Sequence, residues 1–96
     1  MRYGIAVTIQ SWNSDEARAI FEGRAPRRVH SDLVTIARRR LAVLDAATSL
    51  ENLRALPSNR LHKVGDVWSI SVNMQYRITF VWGDRGPEDV WFGDYH

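Results

Sequence analysis

The chain has 96 residues, of which 45% are hydrophobic and 25% are charged, and its formal net charge is +2. This length and this balance predict a single globular domain over residues 1–96 rather than a disordered segment. Because the sequence contains no cysteine, disulfides and thiolate-ligated zinc sites are excluded.

The sequence has neither a membrane-spanning stretch nor the pattern of a secretory signal. Its longest uninterrupted apolar run, Leu41–Leu44, is far shorter than the roughly 20 residues that a membrane helix needs. Residues 1–10 lack the long apolar region and cleavage site of a signal peptide. We therefore expect a cytoplasmic protein without a membrane partner.

Arginine dominates the basic residues, since lysine provides only one of the 13 positive side chains, and the sequence pI is about 9.5. Arginine favours planar, bidentate contacts with phosphate or carboxylate, which suits an RNA or an acidic protein partner. The basic positions of residues 24–28 and 38–39 fit contact with ribosomal RNA and an ordinary solvated surface equally well.

The chain opens with a predicted strand over Tyr3–Trp12, where apolar residues alternate. A short helix is predicted next, from about residue 14 to residue 22. Asn13 and Glu16 have the spacing of an N-cap and its reciprocal acid, and Gly23 provides the stop.

Two further helices are predicted before the main sheet. The longer one runs from about residue 32 to residue 47, is capped by Ser31 and has one apolar face. Thr48 and Glu51 form a second capping-box pattern that opens a short helix, with Leu50, Leu53 and Leu56 as its apolar side, before Pro57 ends it.

The second half of the sequence predicts an antiparallel meander. A strand over residues 60–64 precedes Gly65 and Asp66, which suit a tight type II′ hairpin turn. Large apolar residues then alternate with smaller or polar ones over Trp68–Val72 and again over Tyr76–Trp82.

A loop over residues 83–87 and a last strand near residues 90–92 complete the chain. The predicted fold class is α+β: an N-terminal strand and two to three helices packed on an antiparallel sheet of about four to five strands.

Three places in this fold provide reactive side chains. His62 and Lys63 lie on the first strand of the meander, and Arg77 lies on the third. If the large residues face the core, Arg77 projects from the opposite face, where a guanidinium can bind a phosphate in bidentate fashion. The third place is the C-terminal run Asp94, Tyr95 and His96.

This set resembles the equipment of a metal-independent ribonuclease. Such a reaction needs a base for the ribose 2′-hydroxyl, an acid for the leaving 5′-oxygen and cations for the charge that builds on phosphorus. The three histidines are too scattered for a metal motif, and there is no Gly-rich phosphate loop. We therefore expect no metal and no cofactor.

Each residue also has an ordinary explanation. A lone histidine such as His62 is more often a surface or packed residue, Arg77 could pair with a carboxylate at the edge of the core, and terminal residues are usually frayed. The spacing alone favours these ordinary explanations over catalysis.

The runs NRLHKV, WSISVNMQYRITFVW and the closing DYH resemble the HigB branch of the RelE superfamily of bacterial toxins. The resemblance is strongest from Asn59 to His96. It implies a RelE-like fold and a ribosome-dependent mRNA endonuclease that inhibits translation. It also implies a HigA-like helix-turn-helix antitoxin, through which the toxin meets operator DNA indirectly.

The resemblance also implies roles for individual residues. His96 would transfer protons, with His62 as a second such group, and Arg77 would hold the scissile phosphate. Tyr95 would orient or stack on a base, and Asp94 would fix its neighbours. Lys63, Arg60 and Tyr76 would contact the substrate, although the chain has only a short loop after Lys63.

Two alternatives share the same scaffold. One is a ParE-type toxin, which binds DNA gyrase without catalysis, and the histidines and Arg77 argue against it. The other is a catalytically degenerate member that serves mainly as a corepressor with its antitoxin.

Overall fold

Helices precede strands in the part of the chain that the computed structural model describes, residues 8–94. Within this range there are three α-helices and four strands: α1 (Asp15–Phe21), α2 (Ser31–Ala46), α3 (Leu50–Arg54), β1 (His62–Val64), β2 (Val67–Ser71), β3 (Tyr76–Gly83) and β4 (Gly86–Asp94). A single 3-10 turn, Pro57–Asn59, connects α3 to β1 in the same range. The predicted α+β class is confirmed.

The predicted opening strand is only partly within the described residues, because residues 3–7 lie outside them. Over residues 8–13 the chain runs beside β4 and makes an isolated parallel bridge from Trp12 to Val90. The backbone N–H of Gln10 donates to the carbonyl of Pro87 (2.8 Å), and that of Asn13 donates to Val90 (2.8 Å). This segment therefore covers the outer edge of β4, which would otherwise present unpaired backbone groups.

Helix α1 is capped by Ser14 and not, as the sequence suggested, by Asn13. The Ser14 hydroxyl oxygen accepts from the N–H of Ala17 (3.2 Å) and also from the N–H of Phe92 on β4 (3.2 Å). Both residue types make good caps. Ser14 is the cap here, and its hydroxyl also serves a backbone donor of the sheet.

The caps of the other two helices are also displaced by one residue from the prediction. Helix α2 is capped by His30, whose Nδ1 accepts from the N–H of Asp32 (3.2 Å), while Ser31 is already helical. Helix α3 is capped by Ser49. The predicted cap, Thr48, instead uses its hydroxyl as a donor to the side chain of Asn52 (2.8 Å).

Arginines tie the end of α1 to its surroundings. Nε of Arg38 on α2 donates to the carbonyl of Ile20 (2.9 Å), and its Nη2 donates to the carbonyl of Arg24 (3.2 Å). Hydrogen bonds from Arg18 (3.1 Å) and from Arg24 reach the carboxylate of Glu22. These two bonds lower the pKa of Glu22 below its ordinary value.

The strands form one antiparallel sheet in the order β1-β2-β3-β4. Between β1 and β2, Val64 pairs with Val67 and leaves Gly65 (φ 61°) and Asp66 as the turn, which confirms the predicted hairpin. The predicted loop over residues 83–87 is wrong, because β3 and β4 remain paired up to a two-residue turn, Asp84–Arg85.

One face of the sheet, the helix face, packs against the helices. Its buried residues are Ile70, Val72, Ile78, Phe80, Val90 and Phe92. The helices supply Ala17, Ile20, Leu33, Val34, Ala37, Leu41, Leu44 and Leu53 to the same cluster. Leu56, predicted on the apolar side of α3, is 44% exposed because the helix ends at Arg54. The opposite side of the sheet, the outer face, carries no helix within residues 8–94.

Candidate functional site

Strand register arranges the outer face in two cross-strand rows. The first row is His62, Ser69, Thr79 and Trp91, one from each strand. The second row is Ser71, Arg77 and Gly93. These seven residues are the outer-face cluster. It contains His62 and Arg77, two of the residues predicted from the sequence.

Arg77 is half-buried near the start of β3, and its guanidinium leans toward the first row. Nη1 lies 3.5 Å from the hydroxyl of Ser69, which is the cross-strand partner of His62. Adjacent strands are separated by about 4.8 Å, so the backbones of His62 and β3 are about 10 Å apart. The two side chains therefore project from the same face of the sheet, with Ser69 on the strand between them.

His62 is exposed, and a nearby carbonyl constrains its imidazole. Nδ1 lies 3.0 Å from the carbonyl oxygen of Arg60. A carbonyl only accepts hydrogen bonds, so in the neutral ring Nδ1 carries the proton and Nε2 keeps the lone pair. This tautomer makes Nε2 the atom that can take a proton from a substrate.

The segment before β1 holds the carbonyl of Arg60 in place. Asn59 is fully buried, and its Nδ2 donates to the carbonyl of Leu53 at the end of α3 (3.0 Å). The next residue, Arg60, adopts the left-handed conformation (φ 46°), which is uncommon for a residue with a side chain. Arg60, predicted to contact substrate, is exposed and lies just outside the strands.

Small hydroxyl residues line the floor of the site. Ser69 is fully buried, and Ser71 and Thr79 are each 8% exposed, although all three point away from the core. Beyond the end of β1, the carbonyl of Ser71 accepts from Nε of Arg40 on α2 (3.2 Å). Arg40 therefore fixes the end of β2 opposite Arg77.

Trp91 forms one border of the cluster, and its indole lies over Gly93. A Cβ placed on Gly93 would come within 2.4 Å of the indole, so a side chain at this position would displace the ring. Gly93 is the cross-strand partner of Arg77. Trp91 lies on β4, next to the strand that carries Arg77. It is half-buried, so part of its surface is accessible.

Two of the predicted substrate contacts lie on the other side of the sheet. Lys63 pairs with Trp68 on the helix face, and its Nζ is 5.8 Å from the centre of that indole, in cation–π range. Tyr76 stacks on Phe92 with 5.4 Å between ring centres. Neither side chain is in the outer-face cluster, and their roles as substrate contacts stay predictions.

Asp94 is on the opposite face of the sheet from Arg77. It pairs with Tyr76 at the end of β4, and its carboxylate accepts from Nε2 of Gln75 (2.7 Å). The two other terminal residues of the predicted set, Tyr95 and His96, lie outside the described residues. Of the predicted catalytic residues within the described range, the fold thus brings together His62 and Arg77, with Asp94 at the adjacent strand end.

In the described part of the chain, no group of three or more His, Asp or Glu residues could hold a metal ion.

Outside the outer-face cluster, a cleft of about 360 Å³ lies on the helix face beside the start of α2. It is lined by Arg28, His30, Asp32, Leu33, Ile36, Asn73 and Tyr76.

Comparison with known protein families shows the family of this chain. The model of a family described as the RelE-like toxin of the type II toxin-antitoxin system HigB matches residues 10–96. The chain belongs to the HigB-like toxin family. No curated protein matches it. As a HigB-like toxin of a type II system it has an antitoxin as its partner, and its helices and antiparallel sheet are the RelE-like fold.

Within residues 8–94 of this HigB-like toxin, no helix is both long and apolar enough to cross a membrane.

The sequence analysis had not assigned four residues of the outer-face cluster to the site: Ser69, Thr79, Trp91 and Gly93. The period-two pattern was a usable signal for the two hydroxyl residues, because Thr79 lies two residues from Arg77 on β3 and Ser69 alternates with large apolar residues on β2. For Trp91 and Gly93 the available signal was a glycine two residues from a tryptophan in one strand, where a large ring needs a small neighbour.

Proposed function

We propose that this HigB-like toxin is a ribosome-dependent mRNA endonuclease that cleaves codons by attack of the ribose 2′-hydroxyl. The observation that carries the proposal is the placement of His62 and Arg77 on one face of the sheet, with Arg77 leaning toward the partner of His62. An imidazole and a guanidinium on one face of the sheet suit a phosphodiester better than a protein surface.

The reaction needs one proton removed and one proton supplied. A base takes the proton of the 2′-hydroxyl, the 2′-oxygen forms a bond to phosphorus, and the bond from phosphorus to the 5′-oxygen breaks. An acid protonates the 5′-oxygen as it leaves, so the products are a 2′,3′-cyclic phosphate and a 5′-hydroxyl. Nε2 of His62 and the imidazole of His96 are the two proton-transfer groups of the proposal.

Arg77 has an electrostatic role in this mechanism. The nonbridging oxygens of the phosphate gain negative charge as the fifth bond to phosphorus forms. A guanidinium held by its strand neighbours stabilises this charge without having to reorganise. Tyr95 orients a base and Asp94 fixes the chain end, as the family resemblance implies.

The proposed partners follow from the same assignment. The mRNA is met in the decoding site of the ribosome, and a HigA-like helix-turn-helix antitoxin neutralises the toxin and connects it to operator DNA. Lys63, Arg60 and Tyr76 contribute contacts outside the outer-face cluster. A cytoplasmic location suits all of these partners.

The decisive experiment is primer extension on translating ribosomes that contain the wild-type toxin or the Arg77→Ala variant. The wild type should give cuts in phase with codons. Loss of a single group that stabilises transition-state charge typically costs about 100- to 1000-fold in rate, and we expect a loss of this size for Arg77→Ala. Arg77→Lys should recover only part of the rate, because an ammonium cannot bind in bidentate fashion.

The matched control is Arg85→Ala, which removes an exposed arginine from the β3–β4 turn at the far end of the same hairpin. It should cleave like the wild type. Gyrase-trapped DNA instead of codon-phased cuts would support the ParE-type alternative, and neither effect would support the corepressor. Full cleavage by a folded Arg77→Ala variant would contradict the proposal.

A further inference from the structure

We infer that Trp91 is a stacking platform for one nucleobase of the bound RNA, next to the phosphate held by Arg77. This inference rests on the proposed function for the identity of the ligand. It adds a nucleobase subsite, formed by Trp91 on Gly93, to the outer-face cluster.

The first argument is position. Trp91 pairs with Thr79, two residues from Arg77 along β3, and both project from the outer face. Two residues along a strand span about 6.8 Å. A nucleobase adjacent to the phosphate on Arg77 therefore lies within reach of the indole.

The second argument is the seat of the ring. The indole lies over Gly93, with its six-membered part closest to the position that a Cβ would occupy. The backbone of β4 thus supports one side of the ring, while the residue remains partly accessible. A rigid, flat, partly exposed aromatic surface suits base stacking, which requires little loss of side-chain freedom.

The third argument is a comparison with the other half-buried tryptophans, Trp12, Trp68 and Trp82. Trp12 contacts Phe21 (5.3 Å between ring centres), Trp82 contacts Phe80 (6.5 Å), and all three pack against the core cluster. Trp91 is instead on the outer face, near Arg77 of the outer-face cluster. Trp91 therefore differs from the other three in facing the side of the sheet that carries Arg77.

The test uses a single-stranded RNA oligonucleotide with 2′-O-methyl groups, which cannot be cleaved, both free at low salt and as the A-site codon of programmed ribosomes. Stacking contributes roughly 10- to 100-fold in affinity per base, so Trp91→Leu should weaken binding by about this factor. Trp91→Phe should lose less, since it keeps an aromatic ring. An abasic substitution at one position should weaken binding to the wild type but not to Trp91→Leu.

Gly93→Ala provides a second variant that keeps the tryptophan. Its methyl group would displace the indole, so it should reproduce much of the loss seen with Trp91→Leu. Trp82→Phe is the matched control on the helix face and should bind like the wild type. Circular dichroism of each variant establishes that the fold is retained.

The outcomes separate this inference from the proposed function. If Trp91→Leu and Gly93→Ala bind the oligonucleotide in both settings as tightly as the wild type, the stacking platform is refuted even when the wild type cleaves mRNA. The same holds if no oligonucleotide binds to the wild type in either setting. If the wild type binds in a Trp91-dependent way but never cleaves, the platform stands and the nuclease proposal fails.

Discussion

Replacing Ser14 by alanine tests how the first helix is joined to the sheet. The Ser14 hydroxyl accepts two backbone N–H groups, one in α1 and one from Phe92 on β4. Loss of an N-cap costs about 1 kcal/mol, and a poorly satisfied backbone N–H in a partly buried place adds about 1–2 kcal/mol. We therefore expect Ser14→Ala to lower the free energy of unfolding by about 2–3 kcal/mol.

A domain of this size changes its Tm by about 4–8 °C for each kcal/mol, so the expected decrease is roughly 10–20 °C. Urea unfolding followed by circular dichroism gives the free energy directly. Ser14→Thr keeps the hydroxyl and should recover most of the loss.

Two controls isolate the bond to the sheet. Ser49→Ala removes a cap that accepts only from within its own helix (Asn52, 3.3 Å) and should cost about 0.5–1 kcal/mol. Asn13→Ala should be nearly neutral, since its side chain makes no hydrogen bond to the described part of the chain. If Ser14→Ala costs no more than Ser49→Ala, the bond to Phe92 contributes nothing and the reasoning is refuted.

The remaining predictions concern the end of α1. Arg38→Ala removes two charged hydrogen bonds to backbone carbonyls and should cost about 1.5–3 kcal/mol in urea unfolding, whereas Arg39→Ala, on the exposed side of the same helix, should cost under about 0.5 kcal/mol. Equal effects would show that those bonds are weak. The pKa of Glu22 is lower in the folded state, so its ion pairs stabilise the protein above the unfolded pKa of about 4.3 and lose this effect as the pH falls through the folded value. Glu22→Gln should therefore be slightly less stable than the wild type at pH 7 and equal to it in strong acid, and a difference that persists in acid or in 1 M salt would contradict an ionic origin.

The periodicity of the sequence was sufficient for the fold class and the meander, because alternation over Trp68–Val72 and Tyr76–Trp82 directly encodes which residues face the helices. It was less informative at the helix starts. Asn13 and Ser14 are equally suitable caps locally, and the contact of Ser14 with Phe92, 78 residues away, has no signal in a local pattern.

The candidate site was predicted in part for the same reason. Alternation placed Arg77 on the outer face, and cross-strand register, which a local pattern does not contain, added His62 beside Ser69. Register also placed Lys63 on the helix face, where alternation had already put Tyr76. Residues that are adjacent in a strand, such as His62 and Lys63, project from opposite faces of the sheet.

The irregularity between Thr79 and Val81 determines what the two ends of β4 can do. Thr79 pairs with Trp91 and Val81 pairs with Glu88, so β4 has one residue more than β3 in this interval, and Asp89 takes a left-handed conformation (φ 52°). The hairpin end and the tail end of β4 are therefore out of phase, and Pro87 and Val90 both face inward. Deleting Asp89 would force one of the two ends to turn over, either exposing the proline or burying the tryptophan. A relative that lacks this extra residue would carry a different set of side chains beside its arginine, even with an otherwise identical strand.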